Sequence, residues 1–184
     1  MKLVSIFIAL VLLVSGFAAC EKDDICDPDT LTTPRLTIEF YYTASDSLLN
    51  VTNLKIVGEG MSDGIVFSAA TDSTRYLANT NKISLPLRVT DDSTTYYLTL
   101  NSTDPNLAQT DTLRFNYSRN TVFISRACGY KTLFNLNNIE GLPNAVILNN
   151  DPLTAQGNWI ENFSVEKYNV ENENETHLKI YFSN

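Results

Sequence analysis

Three cysteines, Cys20, Cys26 and Cys128, and a single histidine, His177, are the side chains in this 184-residue sequence best suited to covalent or proton-transfer chemistry. A serine or cysteine nucleophile needs a base to take its proton, usually a histidine. His177 follows an Asn/Glu-rich turn, and no nucleophile on a recognisable elbow accompanies it, so it reads as an exposed residue at the end of a strand. One histidine and bridged cysteines leave too few soft ligands for zinc. The acidic pairs Asp23/Asp24 and Asp91/Asp92, and Asp27 with Asp29, offer oxygen ligands to calcium, but none has the spacing of a calcium loop. They read as solvated turn residues. The two carboxyl groups of a glycosidase meet only in three dimensions, so 21 Asp and Glu residues decide nothing by their number. No catalytic residue, metal site or cofactor is expected.

The cysteines take their meaning from what precedes them. Lys2 is followed by the apolar run LVSIFIALVLLVSGFAA, which ends in small residues, the layout of a secretory signal peptide over residues 1–19. A spanning anchor needs about 20 apolar residues, so an uncleaved anchor is the alternative. Phe17-Ala18-Ala19-Cys20 resembles the lipobox of bacterial lipoproteins, although Phe17 stands where leucine is commoner. The resemblance implies acylation of Cys20 and cleavage before it. Ordinary cleavage after Ala19 would leave an odd thiol instead. Each buried methylene contributes about 0.8 kcal/mol, so two or three acyl chains would hold the protein on a bilayer almost permanently. Glu21-Lys22-Asp23-Asp24 resembles the export signal of Bacteroidota lipoproteins, a lysine followed by two acids; read from composition alone it is a solvated linker. The expected location is the outer membrane, lipid-anchored and surface-exposed, with a periplasm-facing position as the alternative.

If Cys20 carries lipid, Cys26 and Cys128 form an even set in an oxidising compartment, where a disulfide persists. Two free buried cysteines are the alternative. A bridge closing a loop of about 100 residues contributes roughly 4 to 5 kcal/mol in the chain-entropy account. It would also leave five residues between lipid and bridge, a reach of roughly 15 to 20 Å. The net charge of −8 opposes nucleic-acid binding, which needs basic patches.

Beyond Pro34 the chain alternates apolar and polar residues with period two, between turn-forming clusters such as TDDSTT and NNIEGLPNA. RLTIEFYY puts Leu36, Ile38 and Phe40 on one face and Thr37, Glu39 and Tyr41 on the other. KISLPLRV alternates likewise, and Pro86 makes it an edge strand or a bulge. Further strands are expected at Leu54 to Val57, Gly64 to Phe67, Thr95 to Leu100, Thr112 to Tyr117, Thr121 to Arg126, Thr132 to Leu136 and His177 to Phe182, with another around Phe163 and Val165. This pattern predicts an all-β fold, a single antiparallel β-sandwich domain of immunoglobulin-like or related Greek-key type, with a closed barrel as the alternative. The expected organisation is a signal peptide over 1–19, a lipidated N-terminus and short tether over 20–33, and the sandwich over 34–184.

The segments CEKDDIC, TPRLTIEFYY, SRACGYKTLFNL and VEKYNVENENETHLKIYF together resemble a Bacteroidota lipoprotein family of unknown function. The resemblance implies a lipoprotein with no assigned activity, Cys26 and Cys128 in the family's cysteine positions, and an outer-membrane β-barrel protein as partner. The expected function is a non-enzymatic binding or accessory subunit. A surface glycan-binding module or carboxylate-dependent glycosidase is the alternative. For the glycan reading, Tyr41, Tyr42, Tyr96, Tyr97, Tyr117, Tyr130, Tyr168, Tyr181 and Trp159 are candidates for a platform, against the ordinary fate of aromatics in a core. Asp29-Thr30-Leu31, Asp46-Ser47-Leu48, Asp72-Ser73-Thr74, Asp92-Ser93-Thr94 and Asp111-Thr112-Leu113 resemble the O-glycosylation sites of Bacteroidota exported proteins, and equally resemble ordinary turns.

Overall fold

The computed structural model describes residues 25–27, 30, 32–151, 153 and 156–183. The chain forms two compact units, one of Val122–Lys131 with the residues up to Thr32, the other of Thr33–Thr121 and Thr132–Asn184. Among the described residues the strands are β1 (Leu36–Tyr42), β2 (Ser47–Leu48), β3 (Leu54–Gly58), β4 (Leu77–Ala78), β5 (Lys82–Leu85) and β6 (Ser93–Leu100), followed by β7 (Gln109–Ser125), β8 (Gly129–Leu136), β9 (Val146–Leu148), β10 (Asn162–Val165), β11 (Asn169–Val170) and β12 (Leu178–Phe182). One 3-10 turn, Ser73–Tyr76, is capped by the Asp72 carboxylate, which accepts the Thr74 N–H.

In the larger unit two sheets form a β-sandwich, and neither closes into a barrel. The first runs β10-β12-β1, with β2 and β5 sharing the far edge of β1. The second runs β11-β8-β7-β6-β3-β4, with β9 added to β7. Period-two alternation sets which side chains turn inward. Leu36, Ile38 and Phe40 of β1, Leu178, Ile180 and Phe182 of β12, and Leu54 and Ile56 of β3 are all fully buried and belong to one hydrophobic cluster with Leu98, Leu113 and Phe115. Trp159 joins the sheets: its ring packs edge-on to Phe182 at 5.6 Å, and its indole N–H donates to the Leu98 carbonyl at 3.0 Å.

β1 and β12 pair in parallel, Ile38 opposite Leu178 and Phe40 opposite Ile180, while the other described ladders are antiparallel. β5 stops at Leu85, where Pro86 has no N–H for the ladder, and it lies on an edge as expected. The strand expected at Gly64 to Phe67 does not form; Ile65 N–H donates to the Ile56 carbonyl of β3 and Phe67 N–H to the Arg75 carbonyl, without building a ladder. The two strands expected at 112–117 and 121–126 are one continuous strand, β7.

In the smaller unit Cys26 and Cys128 are joined by a disulfide with Cα atoms 4.9 Å apart. The Cys128 N–H donates to Ser125 Oγ at 3.0 Å, and Gly129 takes φ +70°, where a β-carbon would be strained. Together these turn β7 into β8.

Candidate functional site

Of the residues singled out for chemistry, Cys26 and Cys128 come together as the bridge, whereas Cys20, Asp23, Asp24 and Asp29 lie outside the described residues. Asp91 and Asp92 are exposed and each serves as an ion partner, to Arg88 and Arg119 respectively. Among the described residues no group of three or more His, Cys, Asp or Glu side chains is placed to hold a metal ion.

His177 is not the exposed strand-end residue that its neighbours imply. It sits just before β12, fully buried. Its Nδ1 accepts the backbone N–H of Thr37 at 3.0 Å, and its own N–H donates to the Thr37 carbonyl at 3.0 Å. An acceptor at Nδ1 puts the neutral ring's proton on Nε2, which has no hydrogen-bond partner among the described residues. Burial pushes the imidazole below the usual histidine range, with Glu175 and Glu173 opposing the shift and Lys82 adding to it. Glu173 is itself held low, chiefly by its hydrogen bond to Arg35, whose Nη2 lies 2.6 Å from Oε2.

Asp111 has a role that a reading of its tripeptide as surface turn misses. It shares the inward face of β7 with Leu113, Phe115 and Tyr117, and its carboxylate is fully buried. Oδ1 accepts the Asn158 N–H and the Asn149 side-chain amide, both at 2.7 Å, and Oδ2 accepts the Trp159 and Ile160 N–H groups, both at 2.9 Å. The left-handed backbone at Asn149, φ 51°, helps to set this geometry. Four donors meet a desolvated carboxylate, which is what burial of such a group requires. Asp111 thus organises the turn that inserts Trp159 into the core. In its tripeptide Asp111 and Leu113 are buried and Thr112 half-buried; in that of Asp92 the acid is exposed, Ser93 half-buried and Thr94 buried in β6; Asp46-Ser47-Leu48 and Asp72-Ser73-Thr74 are exposed.

The tyrosines do not make a single platform. Tyr96, Tyr117 and Trp159 are core residues. Tyr41 and Tyr181 lie side by side, ring centroids 5.7 Å apart, with the Lys179 ammonium 5.0 Å from the Tyr41 ring. Glu39 accepts from the Tyr41 hydroxyl and pairs with Lys82 at 3.2 Å.

A concavity of about 580 Å³ lies between the β8–β9 connection and β10. Ile139, Leu142 and Leu153 stand exposed around it, Phe163, Val165 and Tyr168 line it from the β10 side, and Asn137, Asn138, Asn144 and Glu140 belong to its described lining. Asn137 holds the connection in shape: its N–H donates to the Asn116 carbonyl at 3.0 Å and its side-chain amide to the Pro143 carbonyl at 3.1 Å. An adjoining hollow shares Asn138 and Tyr168 with it and carries Glu166, Glu171 and Glu175. The result is a mixed surface, exposed apolar side chains set among asparagines, beside a hollow that carries three glutamates and Lys167. It can exclude water against another surface. The sequence NNIEGLPNA shows only a turn; that its apolar residues face solvent is a tertiary fact.

The sequence model described as "Family of unknown function (DUF6452)" matches residues 53–182. No curated protein and no solved structure matches the chain.

Proposed function

The chain belongs to the family of unknown function DUF6452, and we propose that this member is a Bacteroidota outer-membrane lipoprotein, anchored through Cys20, that acts as a non-enzymatic binding or accessory subunit beside a β-barrel of that membrane. The observation that carries the binding role is the set of apolar side chains, Ile139, Leu142 and Leu153, left exposed around the cleft. Ile139 and Leu142 are held in water on a connection that the fold fixes by hydrogen bonds, Leu153 lies exposed in the segment after β9, and burying each against a partner would gain roughly 1.5 to 3 kcal/mol. A carboxylate-dependent hydrolase needs two acids across one cleft, and the described lining supplies Glu140.

The anchoring part is supported by the apolar run ending in small residues before Cys20, by the Lys22-Asp23-Asp24 triplet, and by a disulfide of the kind that persists in oxidising compartments. Among the described residues no helix is long and apolar enough to cross a membrane. A second reading, glycan binding, has one observation in its favour, the Tyr41/Tyr181 pair bordered by Glu39 and Lys179, since sugar rings stack on such faces.

A photo-crosslinking residue at Leu142, in protein expressed in its native membrane, tests the binding role. One barrel protein captured there, and lost when Ile139→Glu is added, is the expected result. Recovery of the protein alone under mild detergent would overturn it. Intact mass of the native protein tests the anchor: an acyl mass on Cys20 is expected, and its absence removes the location. Loss of sugar binding on Tyr181→Ala would move the balance to the second reading.

A further inference from the structure

The tip of the β7–β8 hairpin carries apolar side chains of its own. Phe123 and Tyr130 touch edge to face, ring centroids 5.3 Å apart, yet are 55% and 69% exposed. Ile25, beside the bridged Cys26, is 83% exposed. Three large apolar side chains held in water within one small disulfide-closed unit call for something to cover them.

Charge indicates what that is. The protein is acidic, with net charge −8, yet no Asp or Glu occurs between Asp111 and Glu140, a stretch that contains Arg114, Arg119, Arg126 and Lys131. Two of these, Arg126 and Lys131, belong to the hairpin unit, where Arg126 is exposed. By sequence the segment before Thr32 is acidic, with Glu21, Asp23, Asp24, Asp27 and Asp29, so the basic charge belongs to the hairpin itself. Aromatic and basic residues together are the composition of a surface that sits at lipid headgroups, rings at the level of the glycerol and guanidinium on phosphate.

Position agrees. The disulfide fixes the hairpin tip to Cys26, and five residues lie between Cys26 and Cys20. That stretch reaches at most roughly 20 Å even when extended. A lipid on Cys20 therefore brings the bilayer within reach of Phe123 and Tyr130. We propose that this hairpin tip, through Ile25, Phe123, Tyr130 and Arg126, docks in the headgroup layer of an anionic bilayer, an inference that rests on the anchoring of Cys20.

The test uses full-length acylated protein in vesicles of anionic phospholipid brominated near the top of the acyl chains. Tyr130→Trp places a reporter at the tip, and the native Trp159, buried in the core, gives a constant background. The expected result is blue-shifted emission quenched severalfold more strongly than in the same variant carrying Phe123→Ser and Arg126→Glu, with far-UV circular dichroism unchanged between the two. Water-like, unquenched emission from protein that floats with the vesicles overturns the proposal while leaving the anchor standing. Equal quenching in both variants also overturns it, because tethering alone would then bring the probe into lipid. Protein that does not float overturns the anchor and the docking together.

Discussion

Gly157 lies so close to the Asp111 carboxylate that a β-carbon at position 157 would stand 2.4 Å from Oδ1. The glycine is required there by contact, since it is the missing side chain that lets the Asn158, Trp159 and Ile160 amides close around the acid. Gly157→Ala should therefore cost about 1–3 kcal/mol by overpacking. Asp111→Ala, which leaves those amides unpaired in the interior, should cost more, roughly 3–5 kcal/mol, a large share of the stability of an ordinary domain. Urea unfolding followed by Trp159 fluorescence measures both. A loss under 1 kcal/mol for Asp111→Asn, which puts an NH₂ group against N–H donors, would show that the amides find other acceptors.

Acid should weaken the fold in two steps. Because burial holds His177 below its ordinary value of 6.5, the unfolded chain takes up a proton that the folded one resists, and stability falls as pH drops below that value. Glu173, kept low by Arg35, contributes above its ordinary value of 4.5 and loses that contribution as pH falls further. Melting temperature should decline from about pH 7 to pH 5 and again below about pH 4.5. His177→Asn, whose Oδ1 takes the place of Nδ1 as acceptor for Thr37, should flatten the first decline and keep the second. A parallel first decline in that variant would assign the effect elsewhere.

Reduction of the Cys26–Cys128 bond opens a loop whose ends are 102 residues apart in sequence. The chain-entropy account puts its contribution at up to about 4.7 kcal/mol. Cys26→Ser with Cys128→Ser should lower the unfolding midpoint in urea correspondingly, and hydrogen exchange should show residues 25–32 opening first. An unchanged midpoint with rapid exchange confined to that segment would mean that the bridge serves location and not stability.

The cleft should tolerate charge. Leu142→Glu and Ile139→Glu replace side chains already in water, so each should shift stability by no more than about 0.5 kcal/mol. Thermal melts check this. A drop of several degrees would mean that these residues support the fold, and the cleft would lose its standing as a binding surface.

The strands that packing alone decides were legible from alternation: Leu36, Ile38 and Phe40 turn inward as the pattern requires, and Pro86 ends its strand. Where a partner far along the chain decides, local reading fails. Ser118-Arg119-Asn120 looks like a turn, yet it continues β7, which pairs with β8 in the second sheet. His177 looks exposed in its Asn/Glu-rich surroundings, yet it is buried by an amide 140 residues away. Asp111 did carry a signal, since it has the same parity as Leu113, Phe115 and Tyr117. An acid on an inward parity marks a buried polar site whose donors remain to be found. The cleft had no comparable signal, because exposure of Leu142 and Leu153 depends on what the fold leaves uncovered.

The side-by-side, same-direction arrangement of the first and last described strands has a kinetic corollary. β10 cannot join the first sheet until Leu178–Phe182 is present to seat between it and β1. Closure waits for a loop spanning nearly the entire fold, which places this protein among the slow, high-contact-order folders. A nascent or truncated copy lacking those five residues would offer the bare edge of β1, with its row of unanswered amides, to any neighbouring chain.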